Sequence, residues 1–198
     1  MTANEVKQFF DDYVFGFIFS DIEREMAWAK TQFTIMGDLH IKNLTGGGNF
    51  LCALGLLCYT EFMGGISTGS FSKGPDKSRF DAFFNLMGPD YEAFNRQINV
   101  YKIFRCGMVH EYFIKKSGVI YMLSGGVNIV STMSGDVGSL GGAPSVLKGP
   151  VQYGIGILDD GRYFFIVEQY YKDFAQACHK VYAQLMSSSN QAIPQDVG

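Results

Sequence analysis

Apolar residues recur at helical spacing along most of the first 113 positions. Over residues 4–35, Val6, Phe9, Phe10, Tyr13, Val14 and Phe17 return every three or four positions, the period of a helix that buries one face. The run "SDIEREMAWAK" follows, with acids early and Ser20 or Asp21 placed to cap a helix start. The pattern predicts two helices, or one bent near Gly16–Ser20, with Trp28 in the core. "LTGGGNF" interrupts it. Asn49 is placed to cap a helix from Phe50 to Met63 that is apolar nearly all round, hence buried on most sides. "MGGISTGSFSKGPDKS" reads as a loop rich in Gly and Ser. A short helix is expected from Lys77 to Met87, with Phe80, Phe83 and Phe84 inward. Beyond Pro89, the residues Tyr91, Phe94, Ile98, Tyr101, Phe104 and Met108 trace one apolar stripe, which predicts a long helix from Asp90 to about Phe113.

The texture then changes. Eleven glycines fall between Gly118 and Gly161, among short β-rich runs. "GVIYML" is a candidate strand. "YGIGIL" and "RYFFIV" flank Asp159-Asp160-Gly161, a hairpin signal. The stretch between them reads as a long loop with room for one further strand. Helical spacing returns from Glu168 to Met186, with Tyr171, Phe174, Ala175, Cys178, Tyr182 and Leu185 on one face, before a polar tail. The expected architecture is mainly α: a helical bundle forming one domain over residues 1–198, with a small antiparallel β-element and Gly-rich loop inserted at about 117–167.

Composition narrows the chemistry. Apolar residues make up 47% of the 198, charged ones 18%, and there are 18 Phe and 11 Tyr. So few charges leave apolar area for an oligomer interface. A net charge of −3 argues against coating duplex DNA through the overall field, so any nucleic-acid contact must be local. One window fits: Arg96, Lys102, Arg105, Lys115 and Lys116 stand in 21 residues with one acid, Glu111. The four cysteines form no C-x-x-C pair, and His40, His110 and His179 are too few and too scattered for a zinc site. The cysteines therefore read as reduced, mostly buried thiols, and no metal or cofactor is expected. No secretory pattern opens the chain, and the longest apolar run, Phe50 to Tyr59, is short for a membrane span. A cytoplasmic protein without a membrane segment is the expectation. Neither glycine-rich stretch has the spacing of a phosphate-binding loop.

The chemistry-bearing pattern is "FRCGMVHEY", with Arg105 and His110 five apart. On a straight helix such residues differ by about 140° and flank a shared strip of surface. Cys106 and Gly107, four and three positions before His110, leave a notch under its ring. Histidine can take or give a proton near neutrality; arginine presents a fork of donors to phosphate oxygens. Together they suit cleavage of RNA without a metal: the imidazole activates a ribose 2′-hydroxyl and the guanidinium stabilises charge on the phosphorane. Two such pairs meeting across a dimer axis make a fuller site than one. Lys102, Arg96, Lys115, Lys116 and Tyr112 are the candidate RNA- or phosphate-binding residues. Glu61 stands on the apolar helix and needs a buried partner, for which Arg105 is the candidate.

"VYKIFRCGMVHEY" resembles the R-x(4–6)-H motif of the HEPN superfamily, and the bundle with a final amphipathic helix is similar to that family's fold. The resemblance covers roughly residues 45–115 and 160–186, and its specific part is the motif. It implies a metal-independent endoribonuclease acting as a homodimer, with a role in defence or as a toxin, and assigns catalysis to Arg105 and His110. One position departs from the pattern: Cys106 stands where active members often carry Asn, Asp or His. The alternative implied is an inactive helical module that dimerises and binds RNA, a nucleotide or a protein. A small-molecule sensor built on the β-element is a third, more distant reading.

Overall fold

The computed structural model describes residues 2–30, 48–71, 76–112, 114, 118–124, 127–131, 153–158 and 161–191. The first helical rod comprises α1 (Ala3–Phe9), a π-helical segment (Phe10–Phe19) and α2 (Ser20–Lys30). Thr2 and Glu5 close a capping box at its start. Val6, Phe10, Val14, Ile18 and Ile22 are buried. The rod does not stop at Ser20, whose backbone is helical. A change from π to α winding takes the place of the expected cap, and Asp21 instead accepts from Tyr59 Oη at 2.8 Å. Trp28 is 57% exposed rather than in the core, because Ala29 occupies the buried position on that turn.

Helix α3 (Asn49–Thr68) is longer than its apolar pattern predicts. It runs on through Gly64 and Gly65, which the sequence places in a loop. At Gly64 an added Cβ would lie 1.7 Å from the backbone oxygen of Arg79. The bare glycine therefore lets α4 (Asp76–Leu86) lie directly on α3. The left-handed Gly69 ends the helix. By length and composition α3 could cross a membrane; here nine of its residues are buried in the protein. As expected, Phe80, Phe83 and Phe84 of α4 are fully buried.

The long helix expected from Asp90 is broken. Helix α5 (Pro89–Gln97) ends at Ile98, which is extended (φ −135°, ψ 157°). Asn99 accepts from the Lys102 amide and restarts the chain as a π-helical segment (Tyr101–Cys106) and α6 (Gly107–Glu111). The apolar stripe survives the break: Tyr91, Phe104 and Met108 are buried, and Phe94, Ile98 and Tyr101 pack against the core. Across the turn at Ile98–Asn99, both halves reach the same core.

Strands β1 (Val119–Ser124), β2 (Val127–Ser131), β3 (Ile155–Ile157) and β4 (Tyr163–Ile166) form a sheet in the order β2-β1-β4-β3. The expected hairpin is present as β3–β4, with Gly161 at φ +82°. The sheet is not wholly antiparallel, however. β1 and β4 pair in parallel, Val119 opposite Phe164. Two hairpins meet side by side, and their inner strands, which run the same way, both deliver apolar residues, Ile120 and Phe165, to the one core. β4 passes straight into α7 (Val167–Gln191), whose Tyr170, Phe174, Ala177, Cys178 and Val181 are buried.

A few polar contacts pin these layers. Thr60 Oγ1 and Tyr170 Oη share a hydrogen bond of 2.8 Å in the core. Tyr91 Oη donates to Asp173 at 2.6 Å and accepts from the Gly154 amide at 3.0 Å. Asn49 Nδ2 donates to the Ile120 carbonyl at 3.3 Å. The four cysteines are free thiols. Burial pushes Cys52 up to about 12, and Cys178 is raised for the same reason.

Two outcomes follow from this packing. Gly64→Ala should cost about 2 kcal/mol or more, read as a lower urea midpoint, because the methyl meets backbone. Gly55→Ala, where the methyl meets only the tip of Ile22 at 3.2 Å, should be tolerated far better. Alkaline pH should also unfold the protein. Unfolded thiols ionise from about pH 8.5, whereas the folded Cys52 thiol stays neutral until about 12. The unfolded state therefore sheds protons first, and stability should fall between those pH values. Cys52→Ala should flatten that part of the pH profile.

Candidate functional site

Glu61 lies one turn before Gly64, on the side of α3 that also carries Cys58 and Gly65 (i−3 and i+4). Its carboxylate meets two guanidinium groups. Arg105 Nε approaches Oε2 at 2.9 Å and Arg79 Nη2 approaches Oε1 at 3.4 Å. Arg79 also pairs with Asp76 and donates from Nη1 to the Phe71 carbonyl at 3.2 Å. The side chains of Glu61, Arg79 and Arg105 are 13%, 14% and 19% exposed, so the group is largely shielded from solvent. The close crossing at Gly64 brings Arg79 within reach of Glu61.

The partnership expected between Glu61 and Arg105 is therefore present, with a particular geometry. Contact is made through Nε, and this N–H is not aligned for a hydrogen bond with Oε2. It is a side-on ion pair. The guanidinium also lies over the Tyr101 ring, 5.7 Å from its centroid. Burial pushes the Tyr101 hydroxyl up to about 12, with Glu61 adding to the shift and Arg105 opposing it.

His110 lies further along the same rod, in the α-helical part, and is exposed. Among the described residues no hydrogen bond or ion pair joins it to Arg105. The backbone brings both to one short rod but does not bring their side chains into contact. Gly107 is buried beside Met108, so the notch expected under His110 is closed at that residue by the protein itself. Cys106 is half-buried.

The proposed phosphate ligands scatter. Lys102 is exposed on the π-helical segment. Arg96 lies on the far side of the break at Ile98, paired with Glu92 at 2.7 Å. Tyr112 is exposed directly after α6 and stacks on Phe50. Lys115 and Lys116 lie outside the described residues, as does His40. His179 is exposed, and its ring stacks on Phe15 at 4.6 Å between centroids. No cluster of three or more metal-ligating side chains occurs among the described residues.

Sequence reasoning missed Arg79. It lies 18 residues from Glu61, in the segment that follows the loop-like "MGGISTGSFSKGPDKS". Reading Gly64 as a helix–helix contact would have brought it into view. Comparison with family models, with curated proteins and with solved structures finds no match to this chain.

Glu61→Gln keeps the shape and removes the charge. It leaves two shielded guanidinium groups facing a neutral amide and should destabilise the protein by about 3 kcal/mol in urea unfolding. Asp76→Asn removes a carboxylate that is 58% exposed and should cost under about 1 kcal/mol.

Proposed function

We propose that the chain is a metal-independent endoribonuclease of the HEPN type, acting as a homodimer in the cytoplasm in defence or as a toxin. The observation that carries the reading is the side-on hold on Arg105. The Glu61 carboxylate lies 2.9 Å from Nε and holds in place a guanidinium, the group whose donors fork onto a phosphate. His110, exposed on the same rod, supplies the proton-transfer group. In the proposed reaction the imidazole takes the proton of a ribose 2′-hydroxyl. The 2′ oxygen attacks the adjacent phosphorus, the P–O5′ bond breaks, and a 2′,3′-cyclic phosphate and a 5′-hydroxyl result. Arg105 offsets charge on the phosphorane. The imidazole of the second copy returns a proton to the leaving 5′ oxygen.

A second reading has its own support. Glu61 gives Arg105 a structural partner, and Cys106 stands beside it where a polar orienting residue would serve a working site. Both features fit a module that dimerises and binds RNA, a nucleotide or a protein without cleaving.

Single-stranded RNA incubated with the protein in EDTA separates the two. Cleavage to 2′,3′-cyclic phosphate ends is expected, lowered about 100-fold or more by His110→Ala and by Arg105→Ala, with sedimentation showing the dimer intact. Wild-type protein that leaves RNA whole while remaining dimeric would place the chain in the second class.

A further inference from the structure

Helix α5 has two outward faces. On one, Glu92 and Arg96 pair with each other. On the other, Asp90, Ala93, Phe94 and Gln97 stand at i, i+3, i+4 and i+7. This second face borders a cavity of about 360 Å³ between α5 and the sheet edge at β3. Of the cavity's lining, Tyr91, Ile155 and Gly156 are buried and Phe94 and Phe164 half-buried. Asp90, Gln97 and Tyr153 are exposed and form its mouth.

The walls are braced. The Tyr91 hydroxyl accepts from the Gly154 amide at 3.0 Å, and the Gly154 carbonyl accepts from the Ile166 amide at 2.7 Å. Helix α5, the entry to β3 and the end of β4 are thereby tied together around the cavity. Gly156 shapes its inside. A Cβ there would meet the ring of Phe164, its cross-strand partner, at 2.6 Å. With no side chain at Gly156, that ring lies against the backbone of β3.

The lining has two chemical features that select a ligand. Tyr91, Phe94, Tyr153 and Phe164 are aromatic, and the one charged lining residue is Asp90, whose carboxylate accepts from the Tyr153 hydroxyl. Among the described residues no lysine, arginine or histidine lines the cavity, so nothing there offsets the charge of an anion. Aromatic rings attract a cation through the negative potential of their faces, and a carboxylate at the mouth adds to that attraction. A bare ammonium is compact and strongly hydrated, which opposes its entry into an apolar space. An alkylated ammonium carries apolar surface of its own and leaves water more readily. We propose that this cavity binds a small organic cation with a methylated, quaternary ammonium head. The site stands independently of the RNA-cleaving reading, since none of its lining belongs to the segment that carries Arg105 and His110.

The test is isothermal titration of the full chain with choline at constant ionic strength, beside dimethylbutanol, the uncharged isostere in which carbon replaces the quaternary nitrogen. Choline should bind saturably and roughly tenfold more tightly than the isostere. Asp90→Asn and Phe164→Leu should each weaken choline binding roughly tenfold. Gln97→Glu sets a second carboxylate at the mouth and should tighten it about threefold. Asp90 and Gln97 are exposed, so their variants should melt within a few degrees of the wild type. If Phe164→Leu does not fold, those two variants decide the outcome. Equal affinity for choline and its isostere would make the cavity an apolar hollow and overturn the cation site. So would choline binding that fails to saturate by roughly 10 mM, or affinity that is the same in the wild type, Asp90→Asn and Gln97→Glu.

Discussion

A carboxylate set into an apolar helix must be paired, and most of what is distinctive in this molecule follows from how Glu61 is paired. A single buried charge of this kind is costly, and opposite charges beside it offset part of that cost. Glu61 takes Arg79 from α4 on one oxygen and Arg105 on the other. Three separate segments are thereby registered on one another: the middle of α3, the first turns of α4 and the π-helical segment that carries the motif.

Glycine makes that geometry reachable. At Gly64 the backbones of α3 and α4 approach to a distance that any side chain would prevent. Elsewhere the registration is completed by isolated polar contacts in an aromatic core. Thr60 meets Tyr170, Tyr91 meets Asp173 and the Gly154 amide, and Asn49 reaches β1. Each ties a helix to a partner distant in sequence. In a core so rich in phenylalanine, where packing alone is permissive, such contacts select one arrangement.

The site is correspondingly divided. Arg105 is shielded and lies over the Tyr101 ring, whereas His110 and Tyr112 are exposed. A rod that begins in the core and ends at the surface carries them in that order. The break at Ile98 determines this, since it turns the rod so that Phe104 and Met108 point inward while its last turn emerges beside the start of α3.

Much of this was legible in the residues alone. Helical periodicity located the helical stretches among the described residues, the Asp-Asp-Gly signal located the β3–β4 hairpin, and the oddity of Glu61 on an apolar run led to Arg105 as its partner. These are local facts, since spacing, turn chemistry and the cost of an unpaired charge act within a few residues or on a single group. What lay beyond reach was settled between segments. The parallel pairing of β1 with β4, the continuation of α3 through Gly64 and Gly65, the break at Ile98 and the arrival of Arg79 all depend on which distant backbone is close. An apolar stripe looks the same on one straight helix as on two that turn, and a Gly-Gly pair looks the same in a loop as at a helix crossing. Only the packed core, by demanding that both halves of a stripe reach the same interior and that two backbones touch, distinguishes them.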